Sequence, residues 1–133
     1  MLVAIFDLDD VLIHEGFDPP VICKETVQAL SYLKEQGVTC VVASYNTQAS
    51  GLLIYADLLK YVSLIFAEEE DVIDAKRRQL TYYLNLYPHA EFHFFDDLAS
   101  NISTARSLNI PSTLVDYTRG ITLAEVQHAF PAK

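Results

Sequence analysis

Short unbroken apolar runs alternate along the chain with longer stretches in which apolar residues recur every three or four positions. Residues 2–6, Leu-Val-Ala-Ile-Phe, are apolar without alternation, the pattern of a central parallel strand buried on both faces. Residues 38–43 repeat it, and residues 61–66, 91–95 and 112–115 supply three further strands. Between them, residues 24–36 place Val27, Leu30 and Leu33 on one stripe and stop at Gly37, a residue suited to a left-handed cap. Residues 47–60 and 71–87 read as the next two helices, the latter ended by Pro88, and residues 99–108 as a fourth before Pro111. Thr122 with Glu125 makes a capping box for a last helix reaching Phe130.

Strands alternating with helices, with no repeat or linker between them, predict one α/β domain over residues 1–133. The expected fold is a three-layer sandwich around a doubly wound parallel sheet of about five strands. Right-handed crossovers then bring every strand's carboxyl end to one sheet edge, where such folds bind ligands. The long connection over residues 13–22, with His14, Glu15, Gly16 and Pro19-Pro20, lies above that edge and is a candidate flap.

Composition narrows the function. The 133 residues carry 18 acidic and 9 basic side chains, a net charge of −9 that repels phosphate backbones and anionic lipid, so no nucleic-acid or membrane partner is expected. The apolar stretch 52–67 is broken by Asp57 and Lys60 and falls short of the ~20 residues of a membrane span. The first six residues lack the basic flank of an export signal, and Cys23 and Cys40 stand singly amid apolar neighbours, so packed thiols in a cytoplasmic protein are expected.

Three strands end in residues that a core does not choose: Asp7, Asp9 and Asp10 after the first, Ser44 after the second, Asp96 and Asp97 after the fourth. Converging carboxylates raise one another's pKa unless a cation holds them, and oxygen donors without a Cys/His cluster favour Mg2+. Taken singly, Asp7 and Asp9 also fit turn or capping residues, Ser44 a cap near Thr47, Asp96 or Asp97 a cap for the following helix, and Lys76, beside Arg77 and Arg78, a solvated helix face.

The run Leu2 to Val11, an apolar strand ending in Asp7-Leu-Asp9-Asp-Val, resembles the first motif of the haloacid dehalogenase (HAD) superfamily. Val41-Val-Ala-Ser44 resembles the second motif and Phe94-Phe-Asp96-Asp97 the fourth, while Lys76, 20 positions before the acidic pair, resembles the third motif's basic residue. The small size and the pattern Phe95-Asp-Asp-x-x-x-Asn-Ile102 are most similar to the capless magnesium-dependent phosphatases, with no cap domain in either usual place. Ser44-Tyr45-Asn46 departs from those phosphatases that carry a basic residue after the serine.

The resemblance implies a phosphomonoester hydrolase working through an aspartyl-phosphate on Asp7, with Asp9 as general acid and then base and Lys76 compensating charge. It implies Mg2+ held by Asp7, the Asp9 main chain and an acid of the fourth motif, Asp96 or Asp97, with Asp96 favoured as the direct ligand and Asp97 behind it. Ser44 with the backbone amides of Tyr45 and Asn46 would grip the substrate phosphate. A phosphorylated small molecule or phosphoprotein could reach an open site, unless a second subunit of a homodimer covers it. The competing expectation is an inactive HAD-fold or receiver-like phospho-binding module, although a receiver places its lysine late in the chain, where nothing basic follows Val115 in the expected place. Glu68-Glu-Glu-Asp71 suits a helix start better than a second metal site, and His14 an exposed loop. Tyr82, Tyr83, Leu86 and Tyr87 read as core plus rim, and Asn101 as the residue that ties the acidic loop in place.

Overall fold

Strand β1 (Leu2–Phe6) runs through the middle of the molecule because it has an apolar side chain for each face. Val3 and Ile5 join one buried cluster, Ala4 and Phe6 the other. The computed structural model describes residues 1–69 and 74–133. After β1 a small antiparallel hairpin forms from β2 (Ile13–His14) and β3 (Val21–Ile22), and helix α1 (Thr26–Glu35) leads to β4 (Thr39–Ser44). Then come α2 (Ala49–Tyr55), a single 3-10 turn (Leu59–Tyr61), β5 (Leu64–Ala67), α3 (Ala75–Leu86), β6 (Glu91–Asp96), α4 (Ala99–Ser107), β7 (Ser112–Leu114) and α5 (Leu123–Ala129).

The large sheet has the order β5-β4-β1-β6-β7, and every pair in it is parallel. Ala29, Leu30 and Leu33 of α1, Leu53 of α2 and Val126 of α5 pack on the Phe6 face. Leu80 and Tyr83 of α3 and Ile102 and Ala105 of α4 pack on the Ile5 face, giving three layers. Residues 13–22, read as an aperiodic flap, are this hairpin, with Ile13 opposite Ile22 and His14 opposite Val21.

Three helices end by one device. Gly37, Asp57 and Asn109 take positive φ, and the amide of the next residue returns to a carbonyl five residues back: Val38 to Leu33, Leu58 to Leu53, Ile110 to Ala105. In each, the residue after the left-handed position is a buried apolar one. Only the first has the glycine that announces such a cap. Consequently the helix expected over 47–60 stops at Tyr55, and the strand expected from 61 begins at Leu64. The other boundaries move by one to a few residues, and the Thr122–Glu125 capping box forms in full. The helix expected from 71 starts at Ala75, and residues 70–73, with the end of the Glu68–Asp71 run, lie outside the described residues; Glu68 itself pairs with Arg78 at 2.7 Å. Cys23 and Cys40 are buried free thiols, and burial pushes the pKa of both up to about 12.

His93 of β6 sits between Phe95 (ring centroids 4.8 Å apart) and Phe130, with Nε2 2.7 Å from Thr113 Oγ1. Burial, and then the nearby His128, lower its pKa to about 4. The unfolded chain therefore takes up this proton near pH 6.5 and the folded chain only near pH 4, so folding stability falls as pH drops through that window. A His93→Gln variant is expected to show a flatter loss of melting temperature across that same window than the wild type. An unchanged slope would place the acid sensitivity elsewhere.

Candidate active site

The sheet order makes β1 the neighbour of both β4 and β6, so the residues leaving these strands meet at one edge. The Asp7 amide extends the ladder by donating to Phe95 O at 3.0 Å, which sets Asp7 beside Asp96 at the end of β6. Asp7, Asp96 and Asp97 each offer a carboxylate oxygen within 4.8 Å of the others. These are three of the acids that the strand-end pattern singled out. The backbone just beyond Asp9 is pinned as well: Leu12 and Ile13 amides return to Leu8 O, the Ile121 amide reaches Val11 O at 2.8 Å, and Thr26 Oγ1 donates to Leu12 O at 2.7 Å.

Lys76 enters from the first turn of α3, and it is no solvated side chain, being only 2% exposed. Its ammonium donates to Ala43 O at 2.6 Å and lies 3.8 Å from Asp7 Oδ1 and 3.9 Å from Asp96 Oδ2. Those two distances exceed hydrogen-bond length, so Lys76 acts on the carboxylates as a nearby charge and retains donors for another anion.

The carboxyls are held in opposed electrostatic fields. Burial, and then Asp96, raise the Asp7 pKa well above the carboxylate range, with Lys76 opposing. Burial lifts Asp96 to about 6 against the pull of Lys76 and the hydrogen bonds from the Leu98 amide and Asn101 Nδ2. Burial raises Asp97 and Asp9 also, Asp9 being eased by Asn46. Three buried or half-buried carboxyls beside the Lys76 ammonium ionise together only with further positive charge at hand, and hard oxygen donors in this grouping fit a divalent cation such as Mg2+.

Asp7 and Asp97 open into a cleft of about 380 Å³ that Asp9, Tyr45, Asn46 and Leu98 also line, with Asp10 and Glu15 at the hairpin side. His14 is not among its lining residues; it lies 4.0 Å from Asp10 and edge-on to Phe17. Ser44 ends β4 buried, and its Oγ accepts from the Asn46 amide at 2.9 Å. That amide, expected to face a phosphate, is thus engaged within the loop, whereas the Asn46 side chain reaches out to the Asp9 carboxylate at 3.4 and 3.5 Å. Neither Ser44 nor Asp97 caps a helix: Gln48 and Leu98 stand at the N-caps of α2 and α4 without a side-chain cap, while Asp96 Oδ1 accepts from the Leu98 amide at 2.9 Å in the turn before α4. Asn101 does tie the acidic loop, as expected, through Asp96 Oδ2 at 3.0 Å.

Sequence reasoning missed Gln79, one turn beyond Lys76, whose Nε2 donates to Ser44 O at 2.7 Å and steadies the end of β4. Its one signal is a polar residue on the stripe that buries Leu80 and Tyr83. Tyr83 is buried with its hydroxyl on Val42 O, while Tyr82 and Leu86 are exposed rim.

No family model matches the sequence, and no curated protein is significantly similar to it. Solved structures are similar in fold. A HAD phosphatase from Thermococcus onnurineus superposes with a TM-score of 0.81 at 11% identity, over 100% of this chain and 99% of that one. A D,D-heptose 1,7-bisphosphate phosphatase from B. bronchiseptica, solved with magnesium and phosphate, gives 0.69 at 17% identity over 100% and 89%. A HAD-superfamily hydrolase of subfamily IA from Geobacter sulfurreducens gives 0.70 at 13% over 84% and 88%. The chain therefore has the three-layer α/β fold seen in HAD-superfamily phosphatases, without an added cap, and no helix among the described residues is long and apolar enough to cross a membrane.

Proposed function

We propose that the protein is a HAD-type, magnesium-dependent phosphomonoesterase. The observation that carries this is the grouping of Asp7, Asp96 and Asp97 within 4.8 Å of one another, with the buried Lys76 ammonium beside Asp7 and Asp96, at the carboxyl edge of a HAD-like sheet. In this reading Asp7 Oδ attacks phosphorus while the bond from phosphorus to the alkoxide oxygen breaks, leaving an aspartyl-phosphate. Asp9, on the same cleft wall, gives its proton to the departing alkoxide; its raised pKa suits that role. The resulting Asp9 carboxylate then takes a proton from water as the water oxygen attacks phosphorus, releasing orthophosphate and restoring Asp7. Asn46 orients Asp9, and Lys76 and the Ser44 hydroxyl hold phosphate oxygens. Asp7, Asp96 and Asp97 would hold Mg2+, which when bound supplies positive charge against the phosphate. The uncapped cleft admits small phosphoesters and phosphorylated side chains alike.

The test is p-nitrophenyl phosphate hydrolysis together with thermal unfolding, each with and without Mg2+. Turnover is expected only with the metal. Mg2+ at about 100 times its dissociation constant should add about 2.7 kcal/mol of stability and raise the melting temperature by roughly 10 °C. No response of either signal to millimolar Mg2+ would sink the assignment.

A further inference from the structure

Tyr45 touches both halves of the site. Its hydroxyl donates to Asn101 Oδ1 at 3.1 Å, and Asn101 Nδ2 in turn donates to Asp96 Oδ2 at 3.0 Å. Its ring lies over the Lys76 ammonium, 4.6 Å from Nζ to the centroid. Asn101 is 5% exposed, and its amide can serve Asp96 only with the NH2 end facing the carboxylate. The opposite orientation would set two acceptors against each other. A hydroxyl that anchors the amide oxygen holds Asn101, and through it Asp96, in one place. The ring, for its part, covers one side of the buried ammonium, and Tyr45 also lines the cleft. A cation kept from water exerts its charge on a phosphate more strongly than a wet one.

We propose that Tyr45 is a positioning residue for phosphoryl transfer, its hydroxyl setting Asp96 through Asn101 and its ring shielding the Lys76 ammonium. This rests on the phosphatase assignment above, but it concerns a side chain for which that chemistry has no direct use. The two roles separate by substitution, because Tyr45→Phe removes only the hydroxyl and Tyr45→Leu removes the ring face as well.

The experiment compares wild type, Tyr45→Phe, Tyr45→Leu, Asn101→Ala and the Tyr45→Phe/Asn101→Ala double variant. Two readouts are taken: the Mg2+ concentration at half of the metal-induced rise in melting temperature, and kcat and KM for p-nitrophenyl phosphate at saturating Mg2+. Tyr45→Phe and Asn101→Ala should each raise the Mg2+ midpoint about tenfold, the scale of groups that orient metal ligands. The double variant should be no worse than Asn101→Ala, since both lie on one path to Asp96. Tyr45→Leu should further lower kcat at saturating Mg2+ by about tenfold. A wall residue alone would lower the melting temperature and leave the Mg2+ midpoint where it was.

An unmoved midpoint in Tyr45→Phe, fully additive effects in the double variant, or equal kcat in the Phe and Leu variants would overturn the proposal while wild-type metal dependence still upheld the phosphatase. Wild type that ignores Mg2+ in both readouts removes the phosphatase assignment and this proposal with it. Should Tyr45→Leu fail to fold, Tyr45→Met tests the same loss of the ring with more apolar volume.

Discussion

Asp7→Asn is expected to lose p-nitrophenyl phosphate turnover by about four to six powers of ten, whereas Asp9→Asn loses about two to four. The difference follows from what each oxygen does. Without the Asp7 carboxylate no aspartyl-phosphate forms, and water must attack the ester directly. Without Asp9 the first step survives on this substrate, because p-nitrophenolate leaves without a proton, and only hydrolysis of the aspartyl-phosphate is slowed. Asp9→Asn should therefore release a burst of p-nitrophenol close to one equivalent of enzyme and then nearly stop, while Asp7→Asn shows no burst at all. In metal-free protein the Asp7→Asn variant should fold at least as well as wild type, since the substitution removes one of the buried carboxyls that desolvation and Asp96 disfavour as anions. An Asp7→Asn variant with activity within tenfold of wild type would assign the nucleophile elsewhere.

How much of this site could be read from the chain depended on the range of the interactions. Apolar runs ending in acids marked Asp7 and Asp96 correctly as strand-end residues, because burial on both faces leaves its trace in the sequence of each strand alone. The alternation of strands and helices put these ends on one sheet edge, but their adjacency is a matter of strand order, β4-β1-β6, which no local pattern records. Lys76 looks locally like part of a basic helix face, and its burial is visible only once α3 is laid across the ends of β4 and β1. Tyr45 to Asn101 and Gln79 to Ser44 join residues 56 and 35 positions apart, beyond the reach of any periodicity. The shortened α2 is different in kind: the signal was local, but Asp57 in the left-handed conformation is a residue that tolerates that region without requiring it.

Lys76→Met is the other large expected effect, and it separates stability from chemistry. Methionine keeps most of the apolar stem and removes the charge, so the slot between Ala43 O, the Tyr45 ring and the two carboxyls stays filled. Breaking a buried ion pair from one side costs about 3–5 kcal/mol when the remaining charge cannot escape. Here it can, because Asp7 and Asp96 already sit above the ordinary carboxylate range and rise further without the ammonium. In the variant, the folded chain takes up protons at a pH where the unfolded chain holds none, so stability is lost as pH rises through that window and regained as pH falls. The deficit in metal-free protein should accordingly be about 3 kcal/mol near pH 8, roughly 10 °C in melting temperature, and shrink toward about pH 5. Mg2+ should recover part of the melting temperature at the alkaline end by neutralising the same carboxyls, yet kcat should stay down by about a hundredfold or more, since the phosphate has lost a donor that the metal does not replace. A deficit independent of pH would mean that Lys76 stabilises through packing, and activity restored along with stability would mean that its charge serves the fold and not the transferring phosphate.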